Sequence, residues 1–373
     1  DDPYIISTGA ELAYAVKNNG FGGKYFELSH DIYLNDVSVR GWYNSSSNNA
    51  WYAESAGFNG HIDGKGHIVY GVWYPETCKN ESSGLIPVFM AGSIKNLGVR
   101  NAQVYAKNFA AGIVGKTVRT GNKVIESCFV DETVLVFTNN NDSATGGIVG
   151  AAYDMTNGTE VTLLVKNSYS KASLSGIVES RKNGIIGAAW RTPYSIVGCY
   201  STGYPVYTAA DGGEATSAFW NYEPAYEMNP DGSYKRDDGG YLIPDMEKYI
   251  DRAREGKKLS DYIYNNYSDV SYNKAADKNN VTIVSSESMR NDDALTSMPN
   301  LDYSLFETVY DGTPKLKIFT LINGQDIFMS KDADFFGSGK GTQKDPFVIK
   351  TVEHLRYVVE SLDTKGKYYK LGN

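Results

Sequence analysis

The sequence predicts a mainly β fold of stacked coils, a β-solenoid, and three observations carry that prediction. Short apolar runs recur between turn residues: "AGIVG" at Ala111, "GGIVG" at Gly146 and "NGIIG" at Asn183. A second set runs beside them: "SIKNLGV" at Ser93, "VIESCFV" at Val124, "LVKNSYS" at Leu164 and "SIVGCYS" at Ser195, in which Ile94, Ile125, Val165 and Ile196 follow one another after 31, 40 and 31 residues. Finally, the opening "DDPYIISTGAELAYAV" returns near the end as "KDPFVIKTVEHLRYVV", and "GKYFEL" from Gly23 answers "GKYYKL" from Gly366, at a constant offset of 343 residues. A run such as "GIVG" is too short to persist alone. Stacked in parallel at roughly 4.8 Å per coil, it shares backbone hydrogen bonds with the coils above and below.

Taken in order, "YII" reads as a short strand and "STGAELAYAVKNNG" as a helix. Thr8 with Glu11 three residues on is a capping box, Leu12, Ala15 and Val16 form the apolar face, and Gly20 is the stop. The second copy keeps the apolar spacing at Val352, Leu355, Val358, Val359 and Leu362, but His354 stands where the box needs Glu11, so the box is expected to be lost. "FNGHIDGKGHIVYG" (58–71) begins the coils, which run from Gly84 to Val206. Alignment of the repeats puts Leu97, Cys128, Ser168 and Cys199 on one inward ladder, with the two cysteines as small fillers kept apart by the intervening coil.

A tyrosine-rich insert occupies about 221–259, with a helical stripe of Met246, Tyr249, Ile250 and Ala253 closed by Gly256. "IYNNYSDV" reads as one more coil, and a closing segment of strand, short helix and the strand "PKLKIF" fills 281–319. The chain thus divides into a strand, helix and polar aromatic loops (1–57), the coils with insert and closing segment (58–319), a linker (320–344) and the start of a second unit (345–373).

A formal net charge of −8 and the lack of a basic cluster argue against nucleic acid or an anionic membrane surface as the partner. No apolar stretch reaches the ~18 residues of a bilayer span, and no signal peptide opens the chain, which reads as a piece of something longer. Cys78, Cys128 and Cys199 are odd in number and lack metal-like spacing, so neither a disulfide scaffold nor a zinc site is indicated. Tyrosine is abundant, 29 residues among many Asn, Ser and Gly, as suits an extracellular β surface.

The succession "DPYIIST", "GKYFEL", "FNGHIDGKGH", "IKNLGV" and three "GIVG"-like runs, with "SMPNLDY" and "GTPKLKIF" closing the unit, resembles the GLUG-motif repeat proteins of bacterial surfaces over about Asp2 to Phe319, and then restarts. The resemblance implies a right-handed parallel β-helix with short capping helices, secretion to the bacterial cell surface, and adhesion or ligand binding. It transfers no catalytic signature. Some IgA peptidases contain the same repeats, but their zinc-binding His-Glu-x-x-His sequence is absent; Glu353-His354-Leu355 belongs to the second helix and lacks a partner histidine. One unit followed by the start of another also fits a tandem array, with neighbouring units as partners.

The candidate ligand-binding residues are Trp42, Tyr43, Trp51, Tyr52, Trp220, Tyr222 and Tyr226, rings in or beside polar loops such as "NSSSNN". Exposed indole and phenol faces stack against sugar rings while their polar edges hydrogen-bond; the competing role is covering the solenoid's sides, and Trp73 in "IVYGVWY" reads as core. Paired acids would instead indicate a polysaccharide lyase or glycoside hydrolase. The candidates are Asp231, Asp237 and Asp238, or Asp245, Glu247 and Asp251, with Ca²⁺ a weak option at Asp231; for the helical pair Glu247 and Asp251 solvated charge is the favoured explanation. His61 and His67 flank "IDGKG" without a third ligand. The leading expectation is a non-enzymatic module binding glycan, host or cell-wall surface material; a β-helix enzyme and a purely structural spacer or filament unit are the alternatives.

Overall fold

Ile94 lies in register with Ile125, Ile125 with Val165, Val165 with Ile196 and Ile196 with Ile263, all through parallel strands. The aligned repeat positions are therefore stacking partners. The ladder extends the other way through Ile62 and Phe26 to Tyr4. The computed structural model describes residues 2–17, 22–38, 41–51, 57–118, 121–153, 162–177, 181–189, 192, 194–206, 227–233, 235–236, 263–269, 281–309, 312–319, 339, 341–350, 354–355, 358 and 367–372. The helical stripe expected at 246–253 and most of the insert and linker lie outside these.

The fold is mainly β and, among the described residues, almost wholly parallel; Phe306–Val309 with Gly312–Leu316 is an antiparallel pair. Four more inward ladders enclose the core beside the first. They run Val69–Val99–Val130–Ser170–Ser201–Ser268, Val104–Val136–Leu174, Ala111–Gly146–Asn183, and Val114–Val149–Ile186. Each buried Ile, Leu or Val contributes about 1.5–3 kcal/mol, so unequal repeat lengths matter little as long as these positions stay in register. No helix of the described residues is long and apolar enough to cross a membrane.

Between the first and second ladders the chain turns through a left-handed residue on successive coils: Asn96, Ser127, Asn167, Gly198 and Asn265, with φ of 52°, 52°, 48°, 62° and 57°. Asn and Gly tolerate that conformation best, which explains the third letter of "IKN", "VKN", "IVG" and "IYN". The next position is the predicted Leu97–Cys128–Ser168–Cys199 ladder, fully buried throughout. Cys128 N–H donates to Ser168 Oγ at 3.1 Å, and Cys199 N–H to Asn266 Oδ1 at 2.9 Å. Burial pushes both thiols up to about 12, and all three cysteines are free.

Outside the coils stands a second core. Phe129, Tyr169 and Tyr200 stack with centroids 5.3 and 5.0 Å apart, Tyr267 follows in register, and all four are buried. The closing segment covers them with Phe306, Phe319, Met298 and Leu301. Tyr200 OH donates to the Pro314 carbonyl, and Tyr267 OH accepts the Asn300 N–H at 3.0 Å. Gly98 precedes Phe129 on this ladder, and the ring fills its missing side chain: a Cβ there would sit 2.2 Å from Phe129 Cε1.

The first helix, Gly9–Lys17, buries Leu12, Ala15 and Val16. Its box forms as expected: Glu11 Oε2 accepts the N–H groups of Ser7 (2.7 Å) and Thr8 (3.0 Å), while Glu11 N–H donates to Thr8 Oγ1 (3.2 Å). The backbone N–H of Ser7 is the main cause holding this carboxyl below its usual range. In the second copy His354 Nδ1 accepts the Lys350 N–H at 3.2 Å, the counterpart of the Ser7–Glu11 bond, while Thr351, on which the box itself depends, lies outside the described residues. An imidazole nitrogen accepts a backbone proton as a carboxylate does.

On the outer face, Glu126 bridges Lys166 (2.7 Å) and Lys95 (3.2 Å) on the coils either side. Burial raises its carboxyl, but hydrogen bonds from the two lysines and their charges outweigh this, so the net shift is downward. The folded value lies below the unfolded one. The stabilisation is therefore complete above the ordinary carboxylate range, ~4.3, and disappears as pH falls through the folded value. Glu126→Gln is expected to cost ~0.5–1 kcal/mol at neutral pH, with the difference from the unaltered protein closing as pH falls below the ordinary carboxylate range in urea titrations. Gly98→Ala should cost ~1–3 kcal/mol by overpacking, and much less when Phe129→Ala is already present; equal costs in both backgrounds would show that the ring is not the obstacle.

Candidate binding surface on the first coil

Strand Ile32–Tyr33 pairs with Phe58–Tyr70 and, among the described residues, with no other strand, so Tyr33 is the first rung of its ladder. Its ring stacks on Tyr70 with centroids 4.6 Å apart and planes 9° from parallel. Tyr70 is buried and its next rung is Arg100, which pairs with buried Asp131. Tyr33 itself is 40% exposed. The ring is thus held flat against Tyr70 while part of it stays accessible.

Asn35, two residues on, ties a polar loop to this ring pair. Its amide nitrogen donates to the carbonyls of Gly71 (2.7 Å) and Asn49 (3.0 Å), and its Oδ1 accepts the Asn49 N–H at 2.7 Å. Gly71 follows Tyr70, so residues 41–51 are drawn against the stack. Within the loop Trp42–Asn44 forms one 3-10 turn. Trp42 is buried beneath it and its carbonyl accepts from Ser45 N–H (3.0 Å) and Asn48 Nδ2 (2.9 Å). Asn44, Ser45, Ser46, Ser47 and Asn49 are exposed, and Tyr43 is half-buried edge-on to Trp42 with centroids 6.1 Å apart. The part-exposed phenol ring of Tyr33 is thus joined through Asn35 to a loop of exposed amides and hydroxyls.

Two predicted platforms are corrected. Trp42 is 2% exposed and Trp51 6% exposed, so neither presents a face to a ligand. Trp42 belongs to the outer core, and Trp51 donates Nε1–H to the Leu85 carbonyl at 3.0 Å and its own N–H to Trp73 O at 2.8 Å. Trp73 is half-buried against the outer core, while Tyr74 is fully buried with its OH on the Gly84 carbonyl at 2.9 Å. Tyr43 retains a partly open ring. Tyr52, Trp220, Tyr222 and Tyr226 lie outside the described residues. Tyr33 was absent from the candidates because it lacks a tryptophan neighbour; its signal is its place in the short run "DIYL" just ahead of the polar loop.

A second aromatic strip lies on the outer face of strands Ala102–Ala106 and Val134–Thr138, where Tyr105 stacks on Phe137 at 6.1 Å. Asn139 Nδ2 donates to Tyr105 OH at 3.0 Å. The next rung past Phe137 is Ser175, too small to cover the ring.

The histidines do not converge. His61 stacks on Tyr25 at 4.3 Å and reaches Ser93 Oγ at 2.9 Å, with burial and then the Lys95 charge lowering its pKa, whereas His67 lies 3.3 Å from Asp31. Asp231 forms an exposed turn in which Oδ1 accepts from Ser233 N–H (2.9 Å) and Oγ (2.7 Å); these bonds lower its pKa. Among the described residues no three His, Cys, Asp or Glu side chains assemble into a metal-binding group. Asp237, Asp238, Asp245, Glu247 and Asp251 lie outside them.

No protein-family model matches the chain, and no curated protein matches it. Among solved structures, the crystal structure of "a putative immunoglobulin A1 protease from Bacteroides ovatus" is similar at 14% identity, covering 65% of this chain and 92% of that chain with a TM-score of 0.30. A likeness at that score carries no argument about fold or activity. The Asn35 bridge makes its own prediction. Asn35→Ala leaves the Gly71 carbonyl and the Asn49 N–H without their partner and should cost ~1–3 kcal/mol. Hydrogen exchange at the Asn49 amide should accelerate by more than the loss of global stability accounts for; exchange that tracks global stability alone would rule out a local clamp.

Proposed function

We propose that the chain is an extracellular module of a bacterial cell surface that binds glycan without cleaving it, and that it is one unit of a tandem array. The observation that carries this reading is the Tyr33 ring, stacked on buried Tyr70, 40% exposed, and linked through Asn35 to the loop that exposes Asn44, Ser45, Ser47 and Asn49. A pyranose presents an apolar face and a ring of hydroxyls, the same division of chemistry. The phenol is fixed before a ligand arrives, so little rotamer entropy is lost on binding. Tyr43 extends the platform and the Tyr105–Phe137 strip supplies a second contact for a long polymer. Amides and hydroxyls dominate the rim, which favours uncharged polysaccharide.

The proposed scaffold is a right-handed parallel β-helix. The in-register parallel ladders support it, and parallel β crossovers are right-handed in about 98% of cases. The GLUG-like phrases, with their implied surface display, belong to this proposal, as does the array, which the offset repeat of 343 residues supports.

The test is retention of the purified protein on insoluble cell-wall polysaccharides and on a soluble neutral glycan panel, with product release read in the same wells. Retention without products is expected, and Tyr33→Ala should weaken it roughly tenfold or more, the effect of losing ~1.4 kcal/mol at a central ring. Loss on Phe137→Ala but not Tyr33→Ala would move the site to the second strip. Release of products would replace the binding reading with a polysaccharide-cleaving one, and no retention at all would leave a structural spacer.

A further inference from the structure

The strand that supports Tyr33 through Tyr70 carries another flat ring pair further up its length. In "GKYFEL" the alternation of a strand turns Phe26 and Leu28 into the core and Tyr25 and Glu27 outward. "HID" and "SIK" repeat the pattern on the next two coils, so His61 and Asp63, then Ser93 and Lys95, continue the two outward rows in register. The Tyr25 ring lies on the His61 imidazole with centroids 4.3 Å apart and planes 8° from parallel. The imidazole is held in turn by the hydrogen bond between its Nδ1 and Ser93 Oγ, at 2.9 Å. Tyr25 is 56% exposed. Its strand, Lys24–Leu28, is paired on both sides, with Tyr4–Ile6 and with Phe58–Tyr70, so this exposure belongs to the outer face of stacked coils and not to a missing neighbour.

The row beside these rings is charged but closed on itself. Glu27 pairs with Lys65 at 3.6 Å, and Glu126 bridges Lys95 and Lys166. Asp63 Oδ1 accepts the Lys65 N–H at 2.8 Å and Asn96 Nδ2 at 2.9 Å. A charged ligand would have to compete with these pairs, whereas hydroxyls both donate to carboxylates and accept from ammonium groups without displacing either. A flat ring beside a row of balanced charge therefore matches the apolar face and hydroxyl rim of an uncharged pyranose.

We infer that Tyr25, seated on His61, is a further binding site for uncharged glycan, so that the single strand Phe58–Tyr70 backs two ring platforms, one on either side of its turn at Lys65 and Gly66. The two supports belong to one strand and do not move independently. A polymer long enough to meet both gains from the second contact as an intramolecular event, which a short oligosaccharide cannot do. This inference rests on the glycan-binding part of the proposed function but assigns a residue and a face that Tyr33 does not share.

The test is affinity electrophoresis of the full chain and its Tyr25→Ala, Tyr25→Phe and Tyr33→Ala forms through gels containing soluble mannan or xyloglucan, with polygalacturonate as the anionic control. Tyr25→Ala should weaken binding to a neutral polymer about tenfold, and Tyr25→Phe, which keeps the ring face, less than twofold. Unchanged binding by Tyr25→Ala, with Tyr33→Ala weakened, would overturn this inference and leave the Tyr33 reading in place. Equal losses in the alanine and phenylalanine forms would overturn stacking as the basis of the site, and tighter binding to polygalacturonate would overturn the ligand class. A loss confined to Tyr25→Ala would support the site and remove Tyr33 as the residue that carries binding. No retardation of the unaltered protein by any of the polymers would overturn both readings.

Discussion

Parallel in-register pairing places each side chain on top of its counterpart one coil away, and most other features of this molecule follow from that constraint. A position must suit its own surroundings and also the residues above and below. Apolar ladders meet the demand by stacking Ile on Val, and the left-handed corner meets it with Asn, Ser or Gly at one point of each coil. Charged positions meet it by alternation, as in Lys95, Glu126 and Lys166, since stacking like charges costs energy where stacking opposites gains a little. The same rule makes Gly98 as informative as a large residue, because the empty site is where the Phe129 ring goes.

Stacking also creates ends, and ends are where the molecule has chemistry to spare. Within the coils a ring such as Tyr169 has neighbours on both faces and its hydroxyl is buried; burial and the neighbouring Tyr200 push its pKa well up, leaving it neutral. Tyr4 and Tyr33, on the first rungs of their ladders among the described residues, are by contrast 52% and 40% exposed.

Much of the architecture was legible in the sequence because it is local or periodic. The spacing of Ile94, Ile125, Val165 and Ile196 yields the register, and the Cys128–Ser168–Cys199 ladder follows from it without further information. The Thr8–Glu11 box is a four-residue pattern with one geometric meaning. The failures are non-local. Trp42 and Trp51 sit among Asn and Ser, which reads as exposure, but their surroundings come from Asn35, Gly71, Trp73 and Leu85 and from an outer core completed by residues after 281. No window around a tryptophan contains that information.

Tyr33 shows the other side of that failure. In the sequence it is one tyrosine among 29, and the one local sign that separates it from Tyr169 or Tyr200 is its place just ahead of the polar loop. What separates them in the structure is rung number, a property of the whole stack: a tyrosine at an outward position is buried in the middle and part-exposed at the first described rung. His354 makes the complementary point, since replacing a carboxylate looked like the loss of a cap, yet the imidazole receives the same backbone proton. In a repeat fold, chemical identity at a position is a weaker guide to its role than where the position falls along the stack and what hydrogen bond the backbone there still needs.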